Sequence, residues 1–514
     1  MSTGGPMETS VEKRWHRGGS GSGMPGSRES TRRLRRGFAL AATSILAAGT
    51  FAGAGSVTAP LAAADPAEEP AGAVTIEQGQ PEQCAVPTDG AGYASANPAD
   101  VGIDQAKLDD AIVFAASRLR INVQVFRNNC LIGRGPLNDT TDNLKWNLWS
   151  STKSVIAMLA GIANTQGKLD VNAPIGTHLE PGEGDEAHRA ITVRDLLTQT
   201  SGLQQSIVSE GFPSGLDLDP SASKQALGLP LIHEPGTFFE STQRGPDLLA
   251  HVVERAVGED LQQYAQRELF DPIGVGADSY HWSRDRSGNT YGFAFLYMAP
   301  LSYSRLGMLL ANNGDWAGRQ IISADYMKQL RTPTETNRCY GFLVWVNDKP
   351  CTAPTIPSRK TYAVSPFEGL PDDAFAMVGA LQQNNFMIPS LGLQATWNGV
   401  LGDVSPDPST VLSANSNSEL ARTFLRKLVA AYSNPTVPDP GAYEPTFNLD
   451  VDINNLANPA VLGQPFGLGP FAVDGCNEFS CGEEPLRAPL SDTGGCFVLD
   501  CIPAPGEVPA PQGS

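Results

Sequence analysis

The chain has 514 residues, of which 41% are hydrophobic and 18% charged, and its formal net charge is −19. That apolar content supplies a packed core and excludes a disordered or collagen-like chain. The acidic balance lacks the Lys and Arg that a general nucleic-acid binder sets against phosphate.

In chain order, residues 1–64 read as a targeting segment. Arg32, Arg33, Arg35 and Arg36 precede an uncharged Ala/Gly-rich stretch over 37–64, and Ala62-Ala63-Ala64 before Asp65 fits small-residue signal cleavage. Arg35-Arg36-Gly37-Phe38 looks like a twin-arginine export signal, and a general secretion signal accounts for the same composition. Met24 is an alternative start. No later stretch reaches the ~18 apolar residues of a spanning helix. The expectation is a secreted or cell-envelope protein with no stable membrane span after signal cleavage. Residues 65–100, rich in Pro, Ala, Gly and Glu, form a lead-in linker.

The domain expected over 101–434 begins with Asp104 capping a helix through Ser117, with Leu108, Ile112, Val113 and Ala116 on one side. Ile121 to Arg127 alternates apolar and polar residues and, with Cys130 to Gly133 after two Asn, predicts a hairpin. Lys153 to Thr165 is apolar nearly all round, the pattern of a helix buried in a large domain. Helical patterns recur at 192–199, 245–256, 259–269, 300–312 and 323–331, separated by loops such as the Gly/Pro/Ser/Asp-rich 203–230. Strand patterns return at Tyr340–Val346, Phe375–Ala380, Asn385–Ile388 and Leu393–Trp397, before an amphipathic helix over Ser418–Tyr432. Strands at both ends of a helical middle predict an α/β fold of the α+β type: one sheet flanked by helices, with a helical insertion. Residues 435–514 hold 13 of the 40 prolines and four of the eight cysteines, and read as an appended extension.

All eight cysteines follow the targeting segment, and an even count in an exported chain favours disulfides. Pairing by proximity joins Cys84 to Cys130 and Cys339 to Cys351. The repeated spacing Cys476-x4-Cys481 and Cys496-x4-Cys501 admits a four-cysteine zinc site as the alternative to tail disulfides.

A serine three residues before a lysine on one helix places a nucleophile beside its own base. The pattern occurs three times, at Ser10/Lys13, Ser150/Lys153 and Ser221/Lys224. Ser10 precedes the export signal, and Ser221 lies in the 203–230 loop. Ser150 stands at the mouth of the buried helix, where helix-start amides stabilise an oxyanion and burial depresses the lysine pKa. On spacing alone, an ordinary helix cap beside a surface lysine is the favoured reading of the pattern.

Ordered blocks around this pair carry a resemblance: Trp149-Ser150-Ser151-Thr152-Lys153-Ser154-Val155, then Gln166-Gly167-Lys168-Leu169-Asp170, then Ile191 to Leu203 with Thr200-Ser201-Gly202-Leu203, then Glu234-Pro235-Gly236-Thr237 and Asp247-Leu248-Leu249. Over roughly residues 100–432 the chain resembles the class C β-lactamase and penicillin-binding serine hydrolase family. The resemblance implies a β-lactamase/D,D-peptidase-like fold, with an antiparallel sheet and an inserted all-helical subdomain. It makes Ser150 the acyl-forming nucleophile and Lys153 its base. The family's Tyr-x-Asn motif corresponds to Ser241-Thr242-Gln243: Ser241 keeps a hydroxyl to relay a proton, and Gln243 keeps an amide for hydrogen bonding to substrate. The Lys-Thr-Gly motif corresponds to Met377-Val378-Gly379, where Gly379 permits close backbone approach and the amide of Ala380 completes an oxyanion hole with that of Ser150. The family cation is absent there, which weakens the case for β-lactam or D-Ala-D-Ala substrates and favours an ester or a linear amide; the expected partner is a small-molecule ester or amide, or a peptide.

No metal or other cofactor is expected: the histidines show no His-x-x-x-His pair, and no Gly-x-Ser-x-Gly elbow is evident. Three functional readings follow. These are an esterase or amidase acting through an acyl-enzyme, a β-lactamase or D,D-peptidase, and a catalytically silent binding or sensing module on the same fold.

Overall fold

The computed structural model describes residues 83–88, 90, 92–353, 360–402, 418–442, 453–482 and 486–492. The targeting segment, most of the lead-in and the pair Cys496/Cys501 lie outside the described residues.

Asp104 caps α1 (Gln105–Ser117) by accepting from the Lys107 amide, as its position predicts. Leu108, Ala111, Ile112 and Ala115 form the buried stripe. Val113, expected with them, is 64% exposed, because each residue turns about 100° beyond its predecessor and Val113 follows a buried Ile112. Strands β1 (Arg120–Arg127) and β2 (Cys130–Arg134) form the predicted hairpin. Its turn residues Asn128 and Asn129 both have positive φ, at 49° and 65°, which matches the twist of the flanking strands.

The buried helix is α2 (Ser151–Thr165), enclosed from Ser151 to Ala163. The region read as the loop 203–230 contains two helices instead, α3 (Ile207–Gly215) and α4 (Ala222–Gly228). Pro213 and Gly211 lie inside α3, which is why the composition reads as a loop, whereas other Gly and Ser residues mark helix ends. Gly215 and Gly228 are the last residues of α3 and α4, and Ser221 caps α4. Helices α5 (Arg244–Val257) and α6 (Pro300–Ala311) complete the parts of the insertion used below.

The sheet resumes with β3 (Trp345–Val346), β4 (Phe375–Gly379), β5 (Gln383–Ile388) and β6 (Leu393–Gly399), and α7 (Glu419–Ala430) closes the domain under its Ser418 cap. The strand expected from Tyr340 shrinks to two residues, since Leu343 adopts φ 54° and breaks the extended run. The six strands run antiparallel in the order β2-β1-β6-β5-β4-β3. Alternation in β6 separates the two faces: Trp397 packs on Phe424 of α7 with ring centroids 4.5 Å apart, while Gln394 donates to the Ser304 carbonyl of α6 at 2.7 Å. The fold is thus the antiparallel sheet flanked by helices, with a helical insertion, that the sequence predicts.

Disulfides join Cys84 to Cys130, Cys339 to Cys351 and Cys476 to Cys481. The first two are the proximity pairs. The third bonds both members of the first tail motif to each other, so neither offers the free thiolate that the zinc alternative requires.

All described residues fall in one compact unit, Glu77–Ser514. The described tail lies against α3 and α4. Asn458 bonds Ser206 and Ser209, Gln464 donates to the Gln225 carbonyl at 2.8 Å, Val461 packs with Leu203 and Leu229, and Arg487 forms an ion pair with Asp217.

Candidate active site

Trp149 takes φ 48°, a conformation that bulky side chains rarely adopt, and this turns the chain sharply from the short strand Trp146–Asn147 into α2. Ser150 follows with φ −64° and ψ −11°, already helical, so its side chain does not reach back to cap α2. Lys153 Nζ instead donates to Ser150 Oγ at 2.9 Å and to Gln243 Oε1 at 2.7 Å. The lysine is 4% exposed. Burial lowers its pKa to about 7, against the opposing pull of the Asp247 and Glu210 carboxylates.

Helix α2 is pinned to the sheet from its first turn. Ser151 Oγ donates to the Gln383 carbonyl at 2.9 Å and accepts from Tyr303 at 2.9 Å, and Ser154 Oγ donates to the Leu343 carbonyl at 2.6 Å. The amides of Ser151, Thr152 and Lys153 are taken by the carbonyls of Leu148, Trp149 and Ser150. No protein acceptor takes the amide of Ser150 itself among the described residues. Gly379 ends β4 against this segment, and a Cβ added there would collide with the Leu148 carbonyl oxygen. Ala380 therefore follows directly on the backbone that leads into the nucleophile.

Of the six residues singled out from sequence, Ser150, Lys153 and Gln243 form one hydrogen-bonded chain, and Gly379, followed by Ala380, lies against the Leu148 backbone that leads into Ser150. Gln243, expected to bind substrate, is engaged with the lysine. Ser241 is buried beside them, but the hydrogen bonds of Lys153 run to Ser150 and Gln243 and not to Ser241. The 241–243 segment is fixed by Gln199, which accepts from Thr242 N at 3.1 Å and donates to the Thr242 carbonyl at 3.2 Å.

Sequence reading missed the charged wall behind the lysine. Arg244 is buried and donates to Asp219 at 3.0 Å, to Asp247 at 2.8 Å and to Gln225 at 2.9 Å. Asp247 Oδ1 accepts from the amides of Gly292 and Phe293, and the Phe293 ring lies 5.6 Å from Lys153 Nζ. Asp247 belonged to a recognised sequence block without an assigned role. Nothing local marked Arg244 or Glu210. Among the described residues, no group of three or more His, Cys, Asp or Glu side chains is arranged to hold a metal ion.

A hydroxyl bonded to a buried amine of near-neutral pKa, at the start of a helix and beside a sheet edge, is the arrangement that a serine nucleophile with its own base requires. Residues 131–358 match the family model described as Beta-lactamase, a segment that includes Ser150, Lys153, Ser241 and Gln243 and ends before β4. A protein named for the penicillin-binding proteins, PbpX of Bacillus subtilis (strain 168), is 28% identical over 126 residues, covering 24% of this chain and 30% of PbpX. Protein flp of Staphylococcus aureus (strain N315) is 23% identical over 146 residues, 28% of this chain and 29% of flp. The match thus spans under a third of either relative's length. The octameric penicillin-binding protein homologue from Pyrococcus abyssi is similar in structure at TM-score 0.45 and 15% identity, over 65% of this chain and 80% of that one. Residues 131–358 are thus similar to the β-lactamase family, the relationship the motifs imply.

Proposed function

We propose that this protein is an exported serine hydrolase that forms an acyl-enzyme on Ser150, with Lys153 as general base, and acts on an ester or an amide. One observation carries the reading: a buried lysine whose pKa is held near 7 and whose amine is bonded to the serine hydroxyl. In its neutral form Lys153 takes the proton as Ser150 Oγ attacks the carbonyl carbon. The amides of Ser150 and Ala380 then face the developing oxyanion. Collapse of the intermediate expels an alcohol or amine that takes the proton back from Lys153. Water attacks the acyl-enzyme by the same path, again giving its proton to the lysine. Gln243 keeps the amine aimed at Ser150, and these steps use no proton relay through Ser241.

The substrate preference rests on β4, where Met377 and Val378 are buried and apolar in place of the polar groups that hold a carboxylate in penicillin-recognising relatives. The three disulfides support export.

Hydrolysis of p-nitrophenyl esters by the mature protein, beside a chromogenic cephalosporin, tests the reading. Ester turnover that Ser150→Ala abolishes is the expected result. Cephalosporin turnover at a comparable rate would move the assignment to a β-lactamase or D,D-peptidase. A folded protein that turns over neither would favour the binding-module reading, for which the unengaged Ser241 hydroxyl is the supporting observation.

A further inference from the structure

Glu210, on α3, lies behind the site and takes no part in the steps above. Its side chain is fully buried. Oε2 accepts from the Gln243 amide at 3.2 Å, and Oε1 has no hydrogen-bond partner among the described residues. The neighbouring guanidinium does not satisfy it. Arg244 Nη1 is committed to Asp247 and Ser214, and Nη2 to Asp219, Gln225 and the backbone carbonyl of Glu210, with no bond to the Glu210 carboxyl. A buried carboxyl with an idle oxygen is costly unless its position serves something else.

Gln243, which donates its backbone amide to Glu210, is the residue whose Oε1 receives Lys153. We propose that Glu210 is a positioning residue of the Ser150–Lys153 pair: it anchors Gln243 and sets a negative charge behind the lysine, which keeps the lysine basic enough to accept the serine proton. The proposal rests on the serine-hydrolase reading. Two carboxylates act on Lys153, Asp247 from α5 and Glu210 from α3. Glu210 in turn faces Arg244 and Asp247, and beyond Arg244 lie Asp219 and Tyr291. Burial raises Glu210 to about 7 against the pull of Arg244, so its charge is fully present above that pH. Removing the carboxylate removes one of the two charges that retain the lysine proton. The lysine pKa then falls, and a weaker base does less in the transition state.

The test is the rate at which a fluorophosphonate labels Ser150 in the full chain between pH 5 and 10, for wild type, Glu210→Gln and Glu210→Asp. The Gln variant is expected to move the midpoint of the rise to lower pH by on the order of one unit, with a lower plateau. The Asp variant keeps the charge but draws it back from Gln243, so a lowered plateau and a smaller shift in the same direction are expected. A folded Gln variant with the wild-type midpoint overturns the proposal, since a purely structural role would lower the plateau alone. Should the Gln variant not fold, an Asp variant with a wild-type profile overturns it equally. Wild type that labels normally while the variants leave the midpoint unmoved defeats only the role of Glu210. Wild type that does not label defeats the serine-hydrolase reading and this proposal together.

Discussion

Two helices of this domain open on a serine three residues ahead of a lysine, and the two serines are used differently. Ser221 sits in extended backbone at φ −159° and ψ 109°, ahead of α4, and its hydroxyl accepts from the Lys224 amide at 3.4 Å. Ser150 is already helical, its hydroxyl caps nothing, and Lys153 Nζ reaches it directly. Lys153 is enclosed, whereas Lys224 is only half-buried. Shared spacing therefore supplies only a common helix face. Backbone conformation decides whether the hydroxyl is occupied by its own helix, and burial decides whether the lysine gives up its proton near neutrality.

The sharpest way to break this comparison is to remove each serine in turn. Ser150→Ala is expected to lower ester hydrolysis by about 10³-fold or more, measured by steady-state kinetics, while Ser221→Ala leaves it unchanged. Lys153→Ala is expected to cost about 10²- to 10⁴-fold in kcat/KM, and Lys224→Ala nothing. Acidification sharpens the same contrast. In the proposed mechanism Lys153 works as the neutral amine, and its pKa is lowered to about 7, so activity is expected to rise with pH through about 7. It falls about 10²-fold two units below that midpoint, in a kcat/KM profile. Gln243→Leu removes an acceptor from the charged amine, so a smaller loss, about tenfold, is expected in the same assay. The smallest effect falls on the capping serine: Ser221→Ala is expected to lower stability by about 1 kcal/mol, read by thermal or urea unfolding, with the labelling rate of Ser150 unaffected.

The two sides of Ser150 also differ in what the sequence reveals. On the sheet side, the period-two alternation over Ile121–Arg127 and the all-round apolar run of α2 are local patterns, and both led to the right elements, while Ser150, Lys153 and Gly379 were marked by the resemblance of their motif blocks. On the insertion side, 203–230 carries the composition of a loop, so α3 and α4 went unrecognised and Glu210 with them. Those helices hold because Arg244, from α5, ties Ser214, Asp219 and Gln225 together, and because Asn458, Gln464 and Arg487 of the tail fasten them from outside. Neither tie is local in sequence, so no window of residues could report it. The same limit explains Gln243: its place one motif downstream was legible, but its engagement with Lys153 depends on how α5 meets α2.

The most direct measurement is intact-mass spectrometry after fluorophosphonate exposure, on wild type, Ser150→Ala and Ser221→Ala. The account predicts one adduct on wild type and on Ser221→Ala, and none on Ser150→Ala. An adduct that persists in folded Ser150→Ala, or that disappears in Ser221→Ala, would contradict the assignment of Ser150 as the activated nucleophile.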